Sequence, residues 1–331
     1  MPKDLSGRIA LVAGATRGAG RGIATALGER GAIVYCTGRT TRESKSPIGR
    51  PETIEETAER VTAAGGTGIA VRVDHGVPEQ VAALAERVRA EHGGLDVVVD
   101  DIWGGETLIE FSAKPWEIDL DKARSMLDGA IWTHVVNVRH LSSLVLGRER
   151  ALWVEVTDGD AFGYRGMLVY DLVKMAAIRL AFGLGQEFAR AGTDASPKGF
   201  GPATAIAITP GFLRSEEMLA TFGVTEANWR DAVAKVPDFV ASETPLYVGR
   251  CVAAIAAEPD LAKRNGRVFA SWDVARAHDL TDADGARPHW AEYFAETYGR
   301  PFRRADDEAY RSWEKDSLFG IYMEKDLTFG G

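Results

Sequence analysis

The chain has 331 residues, of which 45% are hydrophobic and 26% charged, and a formal net charge of −9 at pH 7. That balance belongs to an ordinary globular protein; it excludes fibrous and disordered classes and, with no basic cluster, argues against nucleic acid as a partner. No stretch reaches the roughly 20 apolar residues of a membrane span, MPKDLSGRIALVAG lacks a leader's cleavage site, and Cys36 and Cys251 fall in neither disulfide nor metal-ligand spacing, so a metal-free protein of a reducing, cytoplasmic compartment is expected, away from membranes.

From Arg8 onward, short β-branched or apolar runs alternate with longer amphipathic ones. RIALVAG, AIVYCTG, GIAVRVD and LDVVVDD read as strands apolar enough to be buried on both faces, with RGIATALGERG and QVAALAERVRAEHGG as helices that end at glycine. LWVEVTD, TAIAITPG and GRVFASWD supply later strands, and apolar residues three and four apart in VYDLVKMAAIRLAFGLGQEFARAG predict a long helix on the sheet. Strand–helix alternation is the pattern of βαβ units, so the expected fold is α/β, a Rossmann-type doubly wound parallel sheet. One domain over residues 5–285 is expected, with residues 212–245 as a lid or a surface helical pair. Residues 286–331 form a polar, aromatic-rich C-terminal extension, read as subunit contact or edge cover.

AGATRGAGRG follows the first strand and opens the first helix, which places Gly14, Gly18 and Gly20 in the turn. Glycine serves where the backbone turns tightly and amides approach a pyrophosphate at a helix N-terminus; a plain tight turn is the competing reading. At the end of the second strand, YCTGRT has no acid for ribose hydroxyls. Arg39 stands where a 2′-phosphate would lie and Arg17 can reach the same group, which selects NADP(H) over NAD(H) unless both arginines are solvated surface charge. Asp74, ending VRVD, is placed to accept from the adenine amino group or to cap the next helix.

Tyr170 and Lys174, in YDLVK, lie four apart and therefore on one helix face. A tyrosine becomes a usable proton donor near neutral pH when a neighbouring cation stabilises its phenolate. Lys174 would be that cation and could also hold the nicotinamide ribose.

Together the glycine turn, Asp74, YDLVK and ITPGFLRS resemble the short-chain dehydrogenase/reductase family over roughly residues 5–285, and NGRVFASWDVARAHDLTDADG and YCTGRT look most like its dehydrogenase/reductase member 1 branch. The resemblance implies an oxidoreductase acting on a small carbonyl or alcohol, with Pro210 and Gly211 under the nicotinamide, Ser215 meeting its carboxamide, and assembly as a homodimer or homotetramer. It also marks departures. The family's serine is matched by Thr157, which keeps the hydroxyl that orients a substrate oxygen. The Asn-Asn-Ala-Gly stretch is replaced by Asp100-Asp101-Ile102-Trp103-Gly104, with Asp100 substituting structurally, and the family's relay asparagine by Gly129; Asn137, two turns further on, is not counted. These losses motivate an alternative, a cofactor-binding regulatory or scaffold protein without turnover. Glu155, Asp158 and Asp160 read as a solvated loop, with a site for a cationic substrate group as the competing reading, and Trp103, Phe162, Tyr164, Phe212 and Trp229 as pocket lining or core.

Overall fold

The computed structural model describes residues 2–160, 163–193 and 203–299; the expectation for Phe162 and the part of the extension beyond residue 299 lie outside them. In chain order it forms β1 (Ile9–Ala13), α1 (Gly18–Glu29), β2 (Ile33–Gly38), α2 (Ile54–Ala63), β3 (Thr67–Arg72), α3 (Pro78–His92) and β4 (Val97–Asp100). There follow α4 (Leu120–Leu127), a π-helical turn (Asp128–Trp132), α5 (Thr133–Val145), β5 (Leu152–Val156), α6 (Leu168–Thr193), β6 (Thr204–Thr209) and α7 (Glu216–Phe222). The described chain closes with α8 (Pro245–Ala256), β7 (Val268–Ala270), α9 (Ser271–Ala277) and α10 (Trp290–Tyr298).

All strand pairs are parallel, in the order β3-β2-β1-β4-β5-β6-β7. Strand alternation sends Ala10, Val12, Val34, Val99, Val154 and Ile206 to one face, where Ile23 and Leu27 of α1 and Val248 and Val252 of α8 cover them. Leu11, Tyr35, Val98, Trp153 and Ala205 point to the other, under Leu84 and Val88 of α3, Leu141 and Leu144 of α5, and Leu184 and Phe188 of α6. Each fully buried aliphatic side chain contributes roughly 1.5–3 kcal/mol of transfer free energy, which is why a sheet buried on both faces reads as continuous apolar runs.

Local signals set the helix ends. Thr53 and Glu56 form a reciprocal capping box at α2, and α3 starts with proline and stops at Gly93 in the left-handed region, φ +76°. Two strands depart from expectation. As a sheet edge, β3 is partly exposed along its length, and GRVFASWD yields only a three-residue β7 because the chain turns into α9 at Ser271. Trp229 and Phe239, between α7 and α8, form a small separate core against which Phe212 packs, with the Arg214 guanidinium 4.1 Å over the Trp229 ring, so Trp229 is packing rather than pocket lining. No helix among the described residues is long and apolar enough to cross a membrane.

Candidate active site

The chain leaves β1 toward β2 on one side and reaches β4 on the other, and that reversal opens a crevice at the carboxyl ends of the strands. A cleft of about 1200 Å³ occupies it, lined by Gly14, Arg17, Gly18, Arg39, Asp74, Thr157, Tyr170, Lys174, Pro210, Gly211 and Ser215. Residues more than 200 positions apart in the chain thus meet in one cavity.

The turn after β1 is built for close backbone approach. Gly14 has φ +87°, and a Cβ there would stand 2.5 Å from the Asp101 carbonyl oxygen; one on Gly20 would stand 2.4 Å from the Gly14 oxygen. The Gly20 N–H donates to Asp101 Oδ2 at 2.5 Å. Burial pushes the Asp101 carboxyl up to about 7, against the pull of Lys174 and of that amide. At the start of α1, Gly18 N–H donates to Glu216 Oε2 at 2.8 Å, and Arg21 holds the other oxygen at 3.5 Å.

The two arginines are differently engaged. Arg17 pairs with Glu106 at 2.8 Å across the cleft. Arg39 is exposed at the end of β2 and has no ion pair among the described residues. Asp74 does not cap α3, whose N-cap is Val77; its Oδ1 accepts from Gly76 N–H at 2.9 Å while its side chain lines the cleft.

At the other end, the first turns of α6 present Tyr170 and Lys174 to the cavity together. Lys174 Nζ lies 4.2 Å over the Trp103 ring and 5.7 Å from the Tyr170 ring centroid. Thr157, just past β5, donates its hydroxyl to the Lys174 carbonyl at 2.7 Å, so the three groups are mutually fixed. The expected depression of the Tyr170 pKa is not found: its hydroxyl donates to Asp158, and burial together with that carboxylate raises the phenol above its ordinary value. Burial lowers Lys174, opposed by Asp158 and Asp101. Tyr170 is therefore held as the neutral phenol, the donor form.

Beyond β6, Gly211 N–H donates to Glu243 Oε2 at 2.9 Å, and the Ser271 hydroxyl donates to the same oxygen at 2.6 Å. Burial pushes Glu243 up to about 8 despite these bonds. Ser215 lines the cleft near Gly18 and serves as the N-cap of α7, accepting from Met218 N–H at 3.3 Å.

The acidic run near Thr157 is not a solvated loop. Glu155 and Asp160 are buried and only Asp158 is exposed. Glu155 accepts from Trp153 Nε1 and from His134 Nδ1, each at 2.6 Å, and His134 Nε2 donates to the Ile102 carbonyl at 3.0 Å. Asp100 Oδ1 lies 3.5 Å from the same ring, and its Oδ2 accepts from Asn137 at 2.8 Å. His75 links Asn137, at 2.6 Å, to Thr37, at 2.8 Å. Burial alone depresses an imidazole, but here Asp100 and Glu155 outweigh it and hold His134 up to about 10, an imidazolium between two carboxylates. Sequence reasoning missed both histidines and set Asn137 aside. Gly129 lies on the π-helical turn, its carbonyl accepting from Thr133 Oγ1 at 2.7 Å. Trp103 and Phe212 line the cleft, whereas Tyr164 stands on the exposed surface.

Residues 8–218 match the sequence model of the short-chain dehydrogenases. The chain belongs to the short-chain dehydrogenase family. The mouse dehydrogenase/reductase SDR family member 1 is 30% identical over 312 residues, which cover 90% of this chain and 90% of that protein. Among solved structures, a short-chain dehydrogenase of Mycobacterium thermoresistibile superposes with TM-score 0.68 at 19% identity, over 86% of this chain and 92% of that one. L-sorbose reductase of Gluconobacter frateurii, complexed with NADPH and L-sorbose, gives 0.65 at 18% identity over 82% and 97%. As a short-chain dehydrogenase of the member 1 branch, the chain is an oxidoreductase for small molecules that uses a nicotinamide dinucleotide.

Proposed function

We propose that the protein is an NADP(H)-dependent carbonyl reductase, with Tyr170 as general acid, Lys174 as its supporting cation and Thr157 as the group that orients the substrate oxygen. The observation that carries this reading is the meeting of these three side chains at one end of a cleft whose other end is a glycine turn on a helix start with Arg39 exposed beside it. The residues present fit the dinucleotide: Gly14 and Gly20 form a turn too tight for side chains at the head of α1, and Arg39, not an acid, follows β2. Arg39 and Arg17 would hold the 2′-phosphate, Asp74 the adenine edge, and Pro210, Gly211 and Ser215 the nicotinamide end.

When bound, the cofactor supplies hydride to the carbonyl carbon. The protein supplies the rest. The arriving carbonyl oxygen takes the Tyr170 hydrogen bond from Asp158 and the Thr157 hydroxyl hydrogen bond from the Lys174 carbonyl, and Tyr170 transfers its proton to that oxygen as negative charge develops there. The resulting phenolate would be stabilised by Lys174, whose Nζ lies 5.7 Å from the ring centroid, together with the charge of Arg165. A cofactor-binding protein without turnover is less well supported, because such a protein has no need of Tyr170, Lys174 and Thr157 lining one end of the same cleft.

The test is NADPH oxidation with a panel of aldehydes, ketones and quinones, the parent beside Tyr170→Phe. Turnover by the parent and its loss in the variant is the expected result; equal turnover in both would remove Tyr170 from the role of acid. The reading extends to a cytoplasmic location, in keeping with two buried free cysteines. It also includes self-association through α5, the turn that precedes it and α6, where Trp132, Val135 and Leu172 are exposed. A monomer mass by light scattering would remove that last part.

A further inference from the structure

The extension beyond residue 285 reaches the cleft. Its helix α10 is moored at the start by His289, whose Nδ1 accepts from Glu292 N–H at 3.2 Å, and by Pro288, whose carbonyl accepts from the Tyr247 hydroxyl at 3.3 Å. Arg276 of α9 pairs with Glu292 at 2.7 Å. Tyr293 and Tyr298 both donate to Asp238, at 2.9 and 2.7 Å, tying α10 to the segment between α7 and α8. With the helix so fixed, its first residue, Trp290, lines the cleft. A Cβ on Gly211 would stand 3.2 Å from the Trp290 Cβ, and the Trp290 ring meets that of Phe212 edge-on, centroids 6.0 Å apart at 89°.

The Tyr170 part of the cleft is also aromatic. Trp103 and Phe111 meet the Tyr170 ring edge-on at 5.5 and 5.8 Å, and both line the same cavity. Of the lining acids, Asp158 stands beside Tyr170, whereas Glu106 is paired with Arg17 and Asp128 with Arg124; the lining cations are Lys174, facing Tyr170 and Trp103, with Arg17 and Arg39 at the cofactor end. Beside Tyr170 a substrate carboxylate or phosphate would therefore meet Asp158, while the lining cations are engaged by Tyr170 and Trp103, by Glu106 and, in the reading above, by the cofactor; a flat neutral body would meet aromatic lining instead.

We infer that Trp290 is a specificity-determining residue, the outer wall of a pocket for uncharged carbonyl compounds bearing an aromatic or broad apolar body. The inference rests on the carbonyl-reductase reading above, but its test does not need turnover. Binding of 2-naphthaldehyde and of 4-carboxybenzaldehyde to the full chain saturated with NADP+, a pair that cannot exchange hydride, is measured by calorimetry for the parent, Trp290→Ala and Trp290→Phe. The naphthaldehyde should bind the parent, lose about tenfold in affinity in Trp290→Ala and keep most of it in Trp290→Phe, as an aromatic wall requires. The carboxylated aldehyde should bind at least about tenfold more weakly than the naphthaldehyde, for want of a partner cation. Unchanged NADP+ affinity in both variants certifies the fold. Equal naphthaldehyde affinity in parent and Trp290→Ala, no binding to the parent, or preference for the anion would each overturn the inference. Loss of turnover in the parent with binding intact would instead sink the catalytic assignment alone.

Discussion

Glu216 places a carboxylate oxygen 2.8 Å from the Gly18 backbone nitrogen, so the start of α1 already holds an anion supplied by α7. A helix N-terminus attracts negative charge wherever it comes from, and a dinucleotide's phosphates would compete with this side chain for the same amide. Glu216→Gln removes the charge while keeping the size. NADPH affinity, read by fluorescence titration, should rise roughly threefold to tenfold, the range of one anion at a helix end. Weaker binding in the variant would mean that Glu216 organises the turn rather than competing for it.

Arg39 offers a complementary prediction. It is exposed and without an ion pair among the described residues, so removing it breaks no structural bond of its side chain. Arg39→Ala should raise the Kd for NADPH about tenfold or more while leaving that for NADH nearly unchanged, since a hydrogen bond to a charged group contributes about 1.5–3 kcal/mol. An unchanged ratio of the two constants would return the choice of dinucleotide to Arg17 or to neither arginine.

What could be read from the chain without its fold was local. AGATRGAGRG after an apolar strand and YDLVK at the head of a helix each carry their geometry within a few residues. The strand pattern followed because both faces of this sheet are covered. The His134 network has no such signature: His134 and Glu155 are 21 positions apart, and Asn137 and His75 are 62 apart. One signal was present, an acid inside each of two apolar strands, Asp100 and Glu155, since a buried carboxylate demands a donor or a cation. Trp290 was unreadable for a different reason. Only the path after α9 brings it over Gly211, and nothing in the spacing of an aromatic-rich tail says which ring turns inward.

Asp101 ties this network to the stability of the protein. Its ordinary pKa of 3.8 is pushed up to about 7 by burial, with Lys174, the Gly20 amide and His134 pulling it down and Asp100 pushing it up. The folded chain thus holds this proton more tightly than the unfolded one, and the contribution of Asp101 to stability falls as pH rises from about 4 to about 7. Asp101→Asn keeps an acceptor for Gly20 and cannot ionise. Thermal melts should show parent and variant similar near pH 4 to 5, with the variant more stable at pH 8. Glu243, raised in the same sense to about 8, is common to both curves and drops out of their difference. Parallel curves would show that Asp101 is already ionised at acid pH.

Asp158 sets the direction in which Tyr170 is prepared. As a neutral phenol bonded to a carboxylate, Tyr170 is ready to give a proton during reduction, whereas alcohol oxidation needs the phenolate. The charges acting on it are Asp158, which raises its pKa, and Arg165, which lowers it, with Lys174 beside the ring. Asp158→Asn removes the raising charge, so the phenolate should form at lower pH. The alkaline rise of alcohol oxidation with saturating NADP+ should move toward neutrality, with the rate at pH 8 increasing about tenfold, as for removal of one adjacent like charge. Carbonyl reduction at pH 7 depends on a phenol that is protonated in both proteins and should change far less. An oxidation profile that stays in place would mean that Asp158 leaves Tyr170 as soon as cofactor and substrate enter, and that the proton is governed by the remaining cations, Lys174 and Arg165.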